Sequence, residues 1–216
     1  MGAYVFQQMI SQLEERLTGD LPGAKAHDLM MPRPIRGSRD GFRHANIPKE
    51  GAVMLLLYEQ DGEIQFPLIK RPIYSGIHSG QISLPGGKPE SKDPHLIATA
   101  LRETEEEVGI QADQIKVIGS LSTLYISASH FNVKPVVGYL QMPPTFTPDP
   151  REVVNIFNMP LSQILGNQHK KEMGMSFPSY DLISPYYDLQ GEVVWGATAM
   201  IISEFAEILS EIRYSF

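Results

Sequence analysis

The sequence predicts an α/β fold in which a mixed β-sheet lies between helices. Residues 52–58 (AVMLLLY) form an uninterrupted apolar run, which is typical of a strand buried on both faces. Residues 4–17 and 197–212 repeat apolar side chains at helical spacing, so each predicts an amphipathic helix. Strand patterns thus stand between helical patterns along the chain, which is the order expected when helices cover a sheet.

The first part of the chain predicts a helix, an irregular arm and a hairpin. The helix over residues 4–17 is followed by residues 21–48, which are rich in Pro, Gly, Arg and Lys. This segment is interpreted as an extended arm over the domain surface or toward the partner subunit of a homodimer, and an ordered surface loop is the alternative. Asp61-Gly62 is a hairpin signal, and residues 64–69 form the returning strand.

The second part of the chain predicts further strands and a closing helix. Residues 115–121 and 132–140 have strand patterns on either side of a loop over residues 122–131. Residues 141–150 are Pro-rich and break regular structure, and residues 153–165 mix short elements. The remaining elements are strands over residues 180–189 and 192–195, which flank the turn Gln190-Gly191, and the helix over residues 197–212.

The composition is that of a globular protein without cysteine chemistry. Its 216 residues are 42% hydrophobic and 20% charged, which suits one domain with a substantial core. The absence of cysteine excludes disulfides, zinc–thiolate sites and a cysteine nucleophile. The net charge of -7, without a Lys/Arg cluster, argues against a nucleic acid polymer as partner. We divide the chain into an N-terminal helix and arm (residues 1–50) and one domain (residues 51–216).

The sequence also predicts where the protein resides. No segment approaches 18 uninterrupted apolar residues, so no membrane span or membrane partner is expected. Residues 1–17 are interrupted by polar side chains and lack a signal-peptide pattern. We therefore expect a cytoplasmic protein.

A cluster of carboxylates is the most informative feature of the chain. Glu103, Glu106 and Glu107 are three and four residues apart, so a helix places them on one face. Like charges at this spacing repel, and they lie near a helix C-terminus, where the macrodipole disfavours anions. A bound hard cation would resolve the conflict, because Mg²⁺ and Ca²⁺ take oxygen ligands. The predicted inward stripe of this helix comprises Ile97, Leu101, Thr104 and Val108.

The segment around these carboxylates resembles the signature of the Nudix hydrolases. That pattern is Gly, five residues, Glu, seven residues, then Arg-Glu-apolar-any-Glu-Glu-any-Gly-apolar. Residues 102–110 match its second half, with Thr104 in an apolar slot. In the first half, Asp93 follows Gly87 at the position of the Glu, and eight residues separate Asp93 from Arg102. The resemblance implies a Nudix-type α/β/α sandwich with a mixed β-sheet between helices.

The resemblance also implies a reaction and a divalent cofactor, Mg²⁺ or Mn²⁺. Hydrolysis at phosphorus requires neutralisation of the phosphate charge and activation of a water. By resemblance, Glu103 is a metal ligand and the candidate general base, and Glu106 and Glu107 are metal ligands. Arg102 pairs with a neighbouring carboxylate, and the glycine turn allows the carbonyl of Gly87 to reach the metal. The implied catalytic residues are Glu103, Arg102 and Glu106.

A second resemblance concerns the substrate. Residues 68–87 (LIKRPIYSGIHSGQISLPGG) resemble the segment that precedes this motif in coenzyme A diphosphatases, although Gly76 stands where a second Arg is usual. The resemblance implies hydrolysis of CoA or acyl-CoA to 3′,5′-ADP and a 4′-phosphopantetheine product. Arg71, His78 and Lys88 are the implied substrate-binding residues, and a guanidinium suits bidentate phosphate contact. For His78, a hydrogen-bonded loop histidine is the alternative.

Other interpretations stay open. One is hydrolysis of another nucleoside diphosphate derivative, such as ADP-ribose or a nucleotide sugar. Another is a non-catalytic Nudix domain that senses a ligand, although the presence of Glu103, Glu106 and Glu107 favours catalysis. In each case the partner is a small molecule. Glu152, which lies beyond the motif, is either an additional ligand or base or a surface glutamate.

Overall fold

The computed structural model of the protein describes residues 2–36, 46–73, 79–176 and 180–212. Within these residues the chain forms four α-helices and twelve β-strands. The helices are α1 (Gly2–Arg16), α2 (Ala24–Asp28), α3 (Leu96–Val108) and α4 (Gly196–Glu211). The strands are β1 (Arg33–Arg36), β2 (Lys49–Gln60), β3 (Glu63–Lys70), β4 (Ile82–Ser83), β5 (Gly86–Gly87), β6 (Lys116–Ser120), β7 (Leu124–Ile126), β8 (Phe131–Tyr139), β9 (Asn155–Pro160), β10 (Lys170–Ser176), β11 (Asp181–Leu189) and β12 (Glu192–Trp195).

The larger sheet is mixed, as the sequence predicts. Its path runs β4-β3-β2-β8-β6, and β5 pairs with β2, β7 with β8 and β9 with β3. Strands β2 and β8 are parallel, whereas β2 pairs antiparallel with β3 and β5. In the second sheet β11 lies between β1 and β10, and β12 also pairs with β11. The combination of parallel and antiparallel pairs confirms the predicted mixed sheet.

Strand β2 separates the two hydrophobic layers of the fold. Leu55 and Leu57 belong to a cluster that includes side chains of α1 and α4. Met54, Leu56 and Tyr58 point the other way and pack in a cluster with side chains of α3. All five side chains are fully buried. The structure is therefore the predicted α/β/α sandwich, with β2 as a strand buried on both faces.

Both hairpin turns that the sequence predicts are present. Asp61 and Gly62 have φ values of 55° and 83°, and Gln190 and Gly191 have 51° and 81°. Positive φ at both central residues is what a two-residue turn needs to match the twist of its strands. Each turn directly joins an antiparallel pair, β2 with β3 and β11 with β12.

Several strands, among them β1, β7 and β10, are missing from the sequence prediction. Strand β7 forms within residues 122–131, where the sequence predicts a loop, and β1 forms within the predicted arm. Strand β10 has the polar sequence KKEMGMS and no strand pattern of its own. Both β1 and β10 form because they pair with the two edges of β11. The hydrogen bonds to β11 stabilise these strands, and the local sequence alone does not predict them.

The N-terminal helix α1 shares its core with the rest of the protein. Phe6, Met9 and Leu13 are buried in the same cluster as Leu55 of β2 and Phe205 of α4. The helix therefore covers the sheet on the side opposite α3.

No helix among the described residues is both long and apolar enough to cross a membrane.

A buried glutamate ties α2 and α4 to the loop after β6. Glu204 is fully buried and accepts hydrogen bonds from the Gly23 amide at 3.0 Å and the Ser122 amide at 3.2 Å. Its other close partner is His27, whose Nε2 lies 2.9 Å from Glu204 Oε2. Burial opposes ionisation, but the hydrogen bonds from His27, Ser122 and Gly23 outweigh it and lower the pKa of Glu204.

We expect Glu204→Ala to lower the free energy of unfolding by on the order of 3 kcal/mol, because it leaves buried donors without an acceptor. Because the folded-state pKa of Glu204 is lowered, its stabilisation is present at neutral pH and is lost as the pH falls into the acid range. Glu207 is exposed on the same helix, so Glu207→Ala is the control and should stay within about 0.5 kcal/mol of wild type. Urea unfolding at pH 7 measures both. Equal losses in the two variants would contradict the role given to Glu204.

Candidate active site

The glycine pair of β5 allows α3 to approach the sheet closely. Gly86 has φ 152°, and a Cβ there would lie 2.3 Å from the carbonyl oxygen of Ala52. A Cβ on Gly87 would lie 2.5 Å from the carboxylate of Glu103. Only glycine therefore fits at these two positions, because any side chain would displace β2 or the glutamate.

Helix α3 forms where the sequence predicts it and has a defined start and end. The Nδ1 atom of His95 accepts a hydrogen bond from the Ala98 amide at 3.1 Å and caps the N-terminus. Gly109 ends the helix in the left-handed conformation, with φ 76°. Its missing side chain leaves room for Thr147, whose Oγ1 would lie 1.8 Å from a Cβ at this position.

Glu107 is the buried carboxylate of the site. Its Oε2 accepts a hydrogen bond from the Gly86 amide at 2.7 Å, and its Oε1 lies 3.1 Å from Nη1 of Arg71. The side chain is 1% exposed. Burial raises the pKa of Glu107 to about 7, although the charge of Arg71 and the Gly86 amide oppose the rise.

Arg71 is held by protein groups on several sides. Its Nη2 donates to the Gly86 carbonyl at 2.9 Å and its Nε donates to the Ser83 hydroxyl at 3.1 Å. Together with the contact to Glu107, these bonds connect the end of β3 to the glycine turn and to α3. The sequence predicts a substrate-binding role for Arg71, and the structure places its guanidinium beside the buried carboxylate.

Arg102 organises the outer part of the site. Its guanidinium donates to Asp93 at 3.0 Å, to the Lys88 carbonyl at 2.8 Å and to Glu106 at 2.7 Å. Its Nη2 also lies 3.1 Å from Oε1 of Glu103. The hydrogen bonds from Arg102 hold the pKa of Asp93 well below its usual range. Asp93, whose role the sequence leaves open, therefore anchors Arg102.

Three carboxylates converge beside the glycine turn. One carboxylate oxygen from each of Glu103, Glu107 and Glu152 lies within 4.8 Å of the others. Glu152 reaches this position through a turn in which the Asp149 amide donates to the Glu107 carbonyl at 3.2 Å. Burial raises the pKa of Glu103, against the charge of Arg102. Three converging carboxylates, two of which resist ionisation, fit a hard divalent cation.

Glu106 takes a different position from the one that helical spacing alone suggests. Its carboxylate is bonded to Arg102 and lies 3.5 Å from the Nζ of Lys92. Its side chain is 46% exposed. Among the described residues, Glu152 rather than Glu106 completes the converging group. The spacing within one helix carries no information about a residue that approaches from a distant turn.

The other predicted site residues lie at the margin of this group or outside the described residues. Lys88 is exposed directly after Gly87, and its Nζ is 5.7 Å from the centroid of the Phe131 ring. The carbonyl oxygen of Gly87 faces Gly51 and would lie 3.1 Å from a Cβ there. His78 and Gly76 lie outside the described residues.

We expect Glu152→Gln to weaken Mn²⁺ binding by roughly tenfold or more, because it removes one of three converging charged ligands. Glu106→Gln should weaken it less, since Glu106 is paired with Arg102. Isothermal titration calorimetry at pH 8 measures both dissociation constants. A larger loss in Glu106→Gln than in Glu152→Gln would mean that the helix face predicted from the sequence holds the cation.

Proton competition should make Mn²⁺ binding depend on pH. Because the pKa of Glu107 is raised to about 7, the cation must displace a proton as the pH falls below this value. The affinity should therefore drop by up to about tenfold per pH unit between pH 7 and 6. Glu107→Gln should bind Mn²⁺ more weakly, and its affinity should change less between pH 7 and 6, because the glutamine carries no proton that the cation must displace. A pH-independent affinity in the wild type would contradict the raised pKa.

Comparisons with known proteins agree with this geometry. The family model of the NUDIX domain matches residues 48–177. The Nudix hydrolase NudL of Photorhabdus laumondii is 34% identical over 179 residues, which cover 83% of this chain and 91% of that protein. Nudix hydrolase 15, mitochondrial, of Arabidopsis thaliana is 33% identical over 185 residues, and the match spans 82% of this chain and 63% of that longer protein.

Solved structures show the same fold at lower sequence identity. The Nudix hydrolase RenU of M. smegmatis superposes with a TM-score of 0.55 at 17% identity, over 78% of this chain and 90% of that one. A MutT/nudix family protein from Enterococcus faecalis gives a TM-score of 0.52 at 14% identity, over 78% of this chain and 64% of that one. The matched domain, the relatives and the shared architecture lead to one conclusion: the chain belongs to the Nudix hydrolase family.

Proposed function

We propose that the protein is a divalent-metal-dependent hydrolase that cleaves the diphosphate of CoA or acyl-CoA, giving 3′,5′-ADP and a 4′-phosphopantetheine product. The observation that carries the proposal is the convergence of Glu103, Glu107 and Glu152 beside the Gly86–Gly87 turn. Nudix hydrolases act on diphosphate bonds and generally need divalent ions, and this group of carboxylates fits such an ion.

Bound divalent ions would neutralise the diphosphate charge and lower the pKa of the attacking water. Glu103 is the proposed general base, because its raised pKa brings it closer to the pH at which it must accept a proton. Glu107 and Glu152 are the proposed partners of Glu103 in holding the ion. Hydrolysis adds the water across one phosphoanhydride bond, so one phosphoryl group takes the hydroxyl oxygen and the other leaves as a phosphate.

Two arginines keep the carboxylates in position. Arg102 contacts Glu103 and is itself held by Asp93 and the Lys88 carbonyl, so the orientation of the base is set by a partly buried network. Arg71 does the same for Glu107. Fixed carboxylates need no rearrangement when the substrate arrives, which is the condition for effective electrostatic catalysis.

The CoA assignment rests on the resemblance of residues 68–87 to coenzyme A diphosphatases. Lys88 follows the glycine turn directly and is exposed, so we assign it to a substrate phosphate. His78 remains a proposed substrate-binding residue.

Another nucleoside diphosphate derivative is the second candidate substrate. The Arg71 guanidinium is engaged by Glu107, Gly86 and Ser83, which leaves it less free to recognise the 3′-phosphate of CoA. ADP-ribose or a nucleotide sugar lacks this phosphate and would not need the contact.

We expect Glu103→Gln to lower kcat by about 10²-fold or more, because the amide neither accepts the proton nor carries the charge. Glu105→Gln is the matched control. Glu105 lies two residues away, and its Oε2 accepts from the Ala112 amide at 3.3 Å, outside the converging group. It should change kcat by less than about threefold. Steady-state assays with Mg²⁺ or Mn²⁺ measure both, and equal losses would show that Glu103 has no special part in the reaction.

We expect CoA to be preferred over 3′-dephospho-CoA by about tenfold in kcat/KM, equivalent to about 1.4 kcal/mol. Lys88→Ala should reduce this preference, whereas Lys92→Ala should not, because Lys92 is paired with Glu90 and Glu106. A panel of CoA, 3′-dephospho-CoA, ADP-ribose and NADH measures the ratios. A kcat/KM for ADP-ribose well above that for CoA would support the second candidate substrate.

A further inference from the structure

The aromatic ring of Phe131 is separated from the candidate active site only by Gly51. Phe131 begins β8 and pairs with Lys49 at the start of β2, in parallel register. A Cβ on Gly51 would lie 3.4 Å from Cδ1 of Phe131 and 3.1 Å from the carbonyl oxygen of Gly87. The ring and the backbone of the glycine turn therefore flank Gly51. Because a Cβ on Gly87 would lie 2.5 Å from the Glu103 carboxylate, the ring is close to the converging carboxylates.

Two lysines face this ring. The Nζ of Lys88 lies 5.7 Å and the Nζ of Lys49 lies 5.9 Å from the ring centroid. Both side chains are exposed, and in the described parts of the chain neither ammonium forms an ion pair with a carboxylate. Two unneutralised cations around one ring favour an anionic ligand, because each repels the other and a phosphate would attract both.

The ring is positioned to receive a flat ligand. Phe131 is half-buried and packs on one side against the main hydrophobic cluster, so the protein holds it in place. An exposed cation–π contact is worth about 0.5–1 kcal/mol. Stacking of a nucleobase on an aromatic side chain is worth about 1–3 kcal/mol. A base can therefore displace the flexible lysines from the ring, and their ammonium groups become available for phosphate.

We propose that Phe131 is the platform on which the nucleobase of the substrate stacks, with Lys49 and Lys88 binding phosphate groups of the same nucleotide. The inference rests on the proposed function, since it names a subsite for the nucleotide half of the substrate. It applies to any adenine nucleotide conjugate, because both CoA and ADP-ribose carry this base.

The test uses two ligands that differ only in the base, AMP and ribose 5-phosphate. Phe131→Leu keeps an apolar side chain against the core and removes the aromatic face. Dissociation constants are measured by calorimetry in the presence of Mg²⁺. We expect Phe131→Leu to weaken the binding of AMP by about tenfold and the binding of ribose 5-phosphate by less than twofold. Phe131→Trp should bind AMP at least as tightly as the wild type.

Control variants separate the platform from general packing. Phe157 is also half-buried against the main cluster, and Phe157→Leu should leave both dissociation constants unchanged. Lys49→Gln and Lys88→Gln should each weaken the binding of AMP and of ribose 5-phosphate to the same degree, because both ligands carry the phosphate. Equal weakening of the two ligands by Phe131→Leu, or unchanged AMP binding, overturns the proposal.

Kinetics distinguish this failure from failure of the proposed function. If the wild type hydrolyses a diphosphate substrate, Phe131→Leu should raise KM for that substrate and change kcat by less than about threefold. Hydrolysis without an effect of Phe131→Leu on KM or on AMP binding would refute the platform alone. A wild type that binds AMP through Phe131 but hydrolyses no member of the diphosphate panel would refute the proposed function and leave the platform standing.

Discussion

The hydrogen bond from the Gly86 amide to Glu107 is the interaction on which the rest of the site depends. It joins the end of α3 to the turn that pairs with β2, across 2.7 Å, and it does so in a buried position. A buried carboxylate is tolerated only with donors around it. Here the backbone amide of Gly86 is the donor, and the guanidinium of Arg71 supplies the compensating charge. Arg71 is in turn fixed by Ser83 and the Gly86 carbonyl. Moving any one of these groups would move the others.

The electrostatic conflict within α3 is divided between two arginines. Glu107 faces Arg71 on the inner side, whereas Glu103 and Glu106 face Arg102 on the outer side. This separation reduces the repulsion that helical spacing would otherwise produce among three like charges. The separation does not remove the cost of carrying charge at these positions, because burial still raises the pKa of both Glu103 and Glu107. A bound cation would relieve this remaining electrostatic cost, so the arrangement of the carboxylates favours metal binding.

Cationic and anionic groups lie on neighbouring parts of one small surface. The carboxylates converge on one side of the glycine turn, and the exposed Lys88 follows the turn directly in the sequence. A diphosphate ester needs both, since its phosphates bind cations and its reaction needs carboxylate-held metal. The absence of side chains at Gly51, Gly86 and Gly87 brings these groups together at backbone distance.

The local sequence determined the features that depend on local forces. Helix α3, its glycine stop, both two-residue hairpins and the doubly buried strand β2 were predictable, because capping, turn chemistry and hydrophobic periodicity act over a few residues. Glu103 and Glu107 were predictable members of a carboxylate group for the same reason. Tertiary structure alone decided that Glu152 joins them, that Asp93 anchors Arg102 and that β10 becomes a strand. Each of these depends on contacts with partners distant in sequence, such as the turn at Asp149 and the edge of β11, and no local pattern records which distant partner a residue will meet.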